Sequence, residues 1–385
     1  MLLKYEFIPI IVQGLKIDSF FHITPFQWDN ETSRFKIKNT LTSRLWRVAG
    51  YIYFYITGSL ILLSVLGNNE TNDLAQRSQT LVMGLALICC GTIFWTLHKE
   101  HRGMVSVLNG LIKLEHQMDR DAVMNSQDSR TILVKWIGKI IVRTGKCYAV
   151  LGALGAGCDP KFPTNSFAIY VPNLENLDNK FWNIVFRLVT MVGNFVVWHF
   201  AGLLGVIACL TMIVSMEAIR VFQLSLKNYT NNSVSFGMWL KTKDLYDRLR
   251  LLIQIFNQVY ANGIVVHLLI FISVAQVSSV YCLIRCVGLP APILFTLLFI
   301  VVDSYVVVVG VYGCAGEVNK ASKLVTSRLK RTSRNAKGIL ARKMTSGFPD
   351  LRIGFGSANF IEQTTPLEFI NFNNCRIVDL LLFKR

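Results

Sequence analysis

Five stretches of this sequence are long, apolar and empty of fixed charge, and they constrain the chain more than any other feature. A helix rises about 1.5 Å per residue, so roughly 20 largely apolar residues cross the hydrocarbon of a bilayer. Residues 48–66 and 78–97 contain no charged side chain. Residues 188–216 contain no Asp, Glu, Lys or Arg, and His199 is their one group that titrates near neutrality. Residues 263–284 carry His267, and residues 293–314 are interrupted by Asp303 alone. Five such runs in 385 residues predict a multi-pass membrane protein.

A sixth span has a weaker composition. Residues 131–157 end in an apolar segment, but they begin with Lys135, Lys139, Arg143 and Lys146. Spacings of 4, 4 and 3 set these four on one helical face, the pattern of a helix that starts in water and then enters the bilayer. The charge distribution supports counting it, because short cytoplasmic loops are enriched in Lys and Arg. With six spans, 35 of the 40 basic residues fall on one side, leaving Arg77, Lys161, Lys180, Arg187 and Arg285 on the other. Dropping the weak span destroys this alternation. The reading is therefore an all-α, multi-pass transmembrane helical bundle of six spans with a cytoplasmic N-terminus. Residues 1–47 form a cytoplasmic segment, 48–314 the bundle with cytoplasmic helix extensions at 98–146 and 217–262, and 315–385 a cytoplasmic C-terminal segment. Lys4 and Glu6 flank a short apolar run with no small-residue cleavage site after it, so no removable leader is expected.

Composition narrows the function. Charged residues make up 16% of the chain, against about a quarter in ordinary globular domains, and hydrophobic ones 52%. That balance argues against a soluble enzyme and against a disordered chain. The net charge of +17 lies between apolar runs, not on one basic face, so no nucleic-acid partner is expected. The sequence contains no Walker loop, no GxSxG elbow, no HExxH and no carboxylate pair in helical register within a span. Nine cysteines show no CxxC spacing, and neither an enzyme activity nor a metal or cofactor is expected. A TVGYG-like filter, a voltage-sensing Arg ladder and an inverted repeat are equally absent from the sequence.

Polar groups within spans are costly, and so they are the candidates for a site. Tyr148, Asn194, Trp198, His199, Gln276, Tyr281 and Asp303 fall near the midplane or in the outer halves of their predicted helices. Together they are candidate ligand-binding residues of an outward-opening pocket; the alternative is hydrogen bonding between helices. Asp303 stands apart, since a carboxylate in an apolar helix faces a partner, a cavity or a pore, and His199 or His267 is its natural partner. On the cytoplasmic side, apolar residues at 245, 249, 252, 253, 256 and 260 make a helical stripe. Leu245, Leu249, Leu252 and Phe256 on it are the candidate subunit contact. Cys158 and Cys286 fall at outer helix ends, in an oxidising compartment, as candidates for a disulfide or as free thiols. Asn69 is the one sequon in a predicted outer loop and the candidate glycosylation site.

Two segments carry a family likeness: YDRLRLLIQIFNQVYANGIVVHLL at 246–269, leading into the fifth span, and TTPLEFINFNNCRIVDLLL at 364–382. With the inside N-terminus they resemble the insect gustatory receptors, seven-transmembrane chemoreceptors. The first is similar to that family's cytoplasmic helix with an Asn near a Tyr before a span. The second is similar to its aromatic segment followed by Ile-x-Asp-Leu-Leu, here Ile377, Asp379, Leu380 and Leu381. The resemblance implies a tastant-gated cation channel in the plasma membrane of a sensory-neuron dendrite. It implies a homo- or hetero-tetramer with other receptor subunits, joined through cytoplasmic helix extensions, and a small-molecule tastant held in the outer half of each subunit. It does not imply a G-protein-coupled receptor, whose N-terminus lies outside. A small-solute membrane transporter is the alternative from another class. The family's seventh, pore-lining span carries Thr-Tyr and Gln-Phe signatures, and no apolar run of spanning length follows Asp379. The expectation is six spans with the seventh missing, in a truncated product or a subunit that does not line a pore alone. Ligand identity, whether sweet, bitter or volatile, is open at this level.

Overall fold

Each apolar run of the sequence is helical, as it must be where a backbone has no water to bond with. The computed structural model describes residues 3–17, 24–38, 40–67, 74–118, 129–158, 180–229, 236–285, 291–335, 348–356 and 359–382. A π-helical turn, Leu3–Phe7, leads into α1 (Ile8–Ile17) and then a hairpin of β1 (Phe26–Asp29) and β2 (Arg34–Ile37). After it come α2 (Leu41–Gly67), α3 (Leu74–Lys99), α4 (His101–Gln117), α5 (Ser129–Cys158) and the 50-residue α6 (Lys180–Tyr229). α7 (Phe236–Phe256) continues through a π-helical stretch, Asn257–Val265, into α8 (Val266–Arg285). α9 (Ala291–Val307) likewise continues through Val308–Tyr312 into α10 (Gly313–Asn335). A two-stranded ribbon of β3 (Gly354–Phe355) and β4 (Asn359–Phe360) precedes α11 (Thr365–Leu382).

Among the described residues, five helical stretches are long and apolar enough to cross a membrane, and they fall on the five strong runs of the sequence. α5 is not among them, because Arg130, Lys135, Lys139, Arg143 and Lys146 lie within it. It nevertheless lies antiparallel along α6: Thr131 meets Glu217, and Gly138 lies against Leu210. α2 and α3 pair through small residues. A Cβ on Gly58 would stand 3.1 Å from the Gly84 carbonyl oxygen, a close approach typical of helix contacts in membranes. Further along the same seam, Tyr55 and Thr92 share a hydroxyl hydrogen bond of 2.8 Å.

The helix extensions read from the sequence as cytoplasmic pack on each other. A Cβ on Gly110 of α4 would sit 2.4 Å from Leu252 Cδ2, and one on Gly103 2.5 Å from Val259, so both glycines are needed for α4 to approach the rod of α7. The apolar stripe read as a subunit contact is thereby largely used inside the chain. Leu245, Leu249 and Phe256 are buried in the subunit's own core, and Leu252 fills the notch at Gly110. The apolar side chains that this helix turns outward include Leu251, 60% exposed, and Leu240, 40%. At Leu252 the stripe is met by α4 of the same chain.

The C-terminal segment differs most from the sequence reading. From residue 348 it returns along the α7 rod: Phe348 packs edge-on against Tyr246, whose hydroxyl donates to the Pro349 carbonyl at 2.7 Å. Asn257 then clamps the strand, donating to the Arg352 carbonyl and accepting from the Gly354 N–H, both at 2.9 Å. Gly316 leaves no room for a Cβ beneath Glu362, and Gln363 donates to Glu317 at 3.0 Å. α11 then runs beside α8 in the same direction. Ser273 and Gln276 bond Asn373 near its middle, and Arg285 donates to the Leu381 carbonyl at 2.7 Å near its end. Residues 365–382, assigned from sequence to a cytoplasmic segment with no seventh helix, are thus an 18-residue helix packed along a membrane-spanning one. It is not among the helices apolar enough to be recognised by composition, because Asn371, Asn373, Asn374, Arg376 and Asp379 lie within it.

Candidate functional site

Small residues in the middle of α6 open a space inside the bundle. Ala201, Gly202 and Gly205 lie on one wall, and a Cβ on Gly205 would meet nothing within 4 Å. The cavity holds about 150 Å³ and is enclosed by α3, α5, α6, α8 and α9. α3 supplies Val82, Met83, Ala86, Cys89, Cys90 and Ile93; α6 adds Val206 and Cys209. α8 contributes Leu268, Phe271 and Ile272, and α9 contributes Thr296, Ile300, Asp303, Ser304 and Val307. Ile141 and Thr144 of α5 complete the lining.

The chemistry of this space is set by what its polar groups already do. Ser304 donates to the Ile300 carbonyl at 2.6 Å and Thr144 to the Ile141 carbonyl at 3.1 Å, so both hydroxyls are turned onto their own helices. The Cys89 thiol donates to the His267 carbonyl at 3.6 Å. Among the described residues Asp303 is the single charged one of the lining, half-buried, one turn from Val307. An apolar cavity of this size is large enough for a benzene-sized molecule, and one carboxylate gives it a direction.

Of the seven residues expected to form a ligand pocket, Asp303 alone among those with described side chains lines the cavity. Asn194 is buried about two turns before Ala201 on α6, and His199, half-buried, lies two residues before Ala201 with its ring stacked on Phe195 at 5.9 Å. Gln276 and Tyr281 are buried on α8, but Gln276 is engaged by α11 through Asn373. The His267 ring turns to the Gly263 carbonyl, with Nδ1 at 2.6 Å. The side chains of Tyr148, Trp198 and Cys158 fall outside the described set, as do residues Asn69 and Cys286. What sequence reasoning missed is the sulfur and glycine lining: Cys89, Cys90, Cys209 and Gly205 are unremarked in an apolar run, and only packing brings them together. The signal available was the Gly202-x-x-Gly205 spacing in α6, which leaves one helical face without side chains.

Eight residues beyond Cys209 along α6, a buried ion pair ties this helix to α5. Arg220 bonds Glu217 twice, Nε to Oε2 at 2.9 Å and Nη2 to Oε1 at 2.7 Å, and Thr131 donates to Glu217 Oε1 at 2.8 Å. Both charged side chains are all but fully buried, at 4% and 0% exposed. One turn on, both amide atoms of the buried Gln223 lack a partner among the described residues.

An all-α, multi-pass membrane bundle with a mid-span cavity is the class these observations define. Its fold is that of an insect olfactory receptor. The structure of olfactory receptor OR5 from Machilis hrabei superposes with a TM-score of 0.70 at 11% identity, over 98% of this chain and 99% of that one. The structure of the same receptor in complex with eugenol gives 0.69 at 12% identity, over 98% and 100%. No family model and no curated protein matches the sequence.

Proposed function

We propose that the chain is a chemosensory receptor subunit of the insect ligand-gated cation channel type, which detects a small molecule at the surface of a sensory neuron. The observation that carries this reading is an apolar cavity with one carboxylate, inside a bundle whose fold matches an olfactory receptor end to end. That receptor has been solved with eugenol, a small organic molecule, which supports a ligand of similar kind here. The gustatory assignment rests on the resemblance of residues 246–269 and 364–382.

In this reading α11 is the seventh crossing. It runs parallel to α8, so if α8 leads outward, so does α11, and residue 382 lies on the outer side. The face of α11 turned from α8 carries Glu368, Asn371, Cys375 and Asp379, all exposed in the single chain. Lipid is a poor neighbour for such groups. A tetramer, of this chain or of this chain with related subunits, gives that face a water-filled path to line. Opening follows when ligand in the cavity shifts α8 and with it α11.

The test is expression in cells with calcium imaging against a panel of small organic molecules, alongside Gly205→Leu. A response that Gly205→Leu abolishes at unchanged surface level supports the reading. Ligand-driven uptake of a solute without current would replace it with the transporter.

A further inference from the structure

The mid-bundle cavity is lined on two facing helices by sulfur. Met83, Cys89 and Cys90 come from α3 and Cys209 from α6, and Phe271 adds an aromatic ring from α8. Thioether and thiol sulfur are polarisable and make favourable contacts with the edges and faces of aromatic rings, at about 5 Å from the ring. Saturated rings of the same size gain nothing comparable. The volume of about 150 Å³ sets the limit at one ring with small substituents. The hydroxyls of Thr144 and Ser304 are committed to backbone carbonyls, and of the polar groups described in the lining, Thr296 included, the Asp303 carboxylate is the strongest acceptor. A carboxylate has about four acceptor positions, so it takes a further donor while keeping other partners. A neutral hydroxyl donating to it makes a charge-assisted hydrogen bond and buries no second ion in an apolar space.

Resting on the receptor reading for the use of the site, we propose that this cavity selects one-ring phenols, the ring held among Met83, Cys90, Cys209 and Phe271 and the hydroxyl donating to Asp303. Nothing covalent is involved; the thiols act as contact surface. Three features divide the work: sulfur selects the aromatic ring, Asp303 selects the hydroxyl, and Gly205 provides the volume.

The experiment measures binding to the purified full-length chain in lipid nanodiscs, by calorimetry, of 4-methylphenol, 4-methylcyclohexanol, toluene and benzylamine. The expected order has 4-methylphenol about tenfold tighter than both the saturated alcohol and toluene, about 1.4 kcal/mol at that ratio. Asp303→Asn lowers 4-methylphenol affinity about tenfold and leaves toluene unchanged. Replacing Cys90 and Cys209 by Ala removes most of the preference for the aromatic over the saturated alcohol, while 4-methylcyclohexanol binds as before. Gly205→Leu abolishes all binding without lowering thermal stability, which separates a filled cavity from a misfolded chain. Equal affinity for the aromatic and saturated alcohols overturns the role of sulfur. Tightest binding by benzylamine overturns the phenol in favour of a cation. Binding that survives Gly205→Leu, or no binding by any of the four, overturns the site itself. Phenol binding as described, with no evoked current in cells, overturns the receptor reading and leaves the selectivity standing.

Discussion

Asn373 of α11 donates its side-chain N–H to the Gln276 side-chain oxygen of α8 at 2.8 Å, and its own side-chain oxygen accepts the Ser273 hydroxyl at the same distance. One side chain thus holds two successive positions on the helix that also lines the cavity with Leu268, Phe271 and Ile272. Both Asn373 and Gln276 are fully buried, and the Gln276 Nε2 already lacks a partner among the described residues. Asn373→Ala leaves the Gln276 oxygen unpaired as well. The expected cost is about 1–3 kcal/mol, read as a lower melting temperature in detergent. The pair Asn373→Leu with Gln276→Leu is expected to recover most of that stability, and an additive loss in the double variant would show that the two side chains do not act together.

Topology follows from the direction of α11. A tag at the N-terminus is expected to stain only after permeabilisation, and a tag after residue 385 to stain on intact cells. Staining of the C-terminal tag only in permeabilised cells would return this segment to the cytoplasm.

Gly205 is a position where bulk is expected to remove function without harming the fold, because a side chain there enters empty space. Gly205→Ala is expected to raise the half-maximal ligand concentration and Gly205→Leu to abolish the response. Thermal stability should hold or rise, since filling a void restores dispersion contacts. Dose–response curves at matched surface expression check this.

The Glu217–Arg220 pair is expected to behave as a buried ion pair does. Glu217→Gln or Arg220→Met alone leaves an uncompensated charge or broken network and costs about 3–5 kcal/mol. Substituting Leu for Glu217 and Met for Arg220 together is expected to be far milder. Melting curves of the three variants decide it.

Tyr246 lies 17 residues before the apolar run at 263–284, and its burial against Phe348 pushes its hydroxyl up to about 12 from a usual 10. The neutral form is the one that donates to Pro349, so its stabilising effect is complete below pH 10 and is lost as pH rises to about 12. Tyr246→Phe is expected to lower stability by about 1 kcal/mol at neutral pH, and to shrink the difference from the unsubstituted protein above pH 10. Unfolding monitored from pH 7 to 12 is the measurement.

Hydropathy alone located the strongly apolar helices, because their burial in lipid depends on composition and not on partners. α5 needed the charge count in addition, and the structure accounts for its basic start, with Lys135 paired to Glu6 at 2.8 Å. α11 was not legible as a packed helix because its own polar residues, Asn373 among them, count against it by composition, and only the fold shows Ser273 and Gln276 of α8 meeting Asn373. The cavity was legible only at Asp303, the residue whose charge is anomalous in its own run. Gln276 looked like a ligand contact for the same reason, and only the fold reveals that α11 occupies it. The stripe from Leu245 to Phe256 announced packing, but sequence periodicity does not say which surface will cover it; two glycines of α4, a hundred or more residues earlier, do that.

The π-helical stretch Asn257–Val265 has a geometric consequence for the rod it interrupts. Each residue added to a turn offsets everything beyond it by roughly 100° about the axis relative to an uninterrupted α-helix. The side that rests on α4 before this stretch is therefore not collinear with the side that meets the cavity after it. A second such stretch, Val308–Tyr312, lies at the same level, and the Tyr312 hydroxyl donates to the Val265 carbonyl at 3.1 Å. Two rods are thus re-indexed side by side and pinned where they change phase, so each presents to the cavity a face other than the one that packs on the far side of its π-helical stretch.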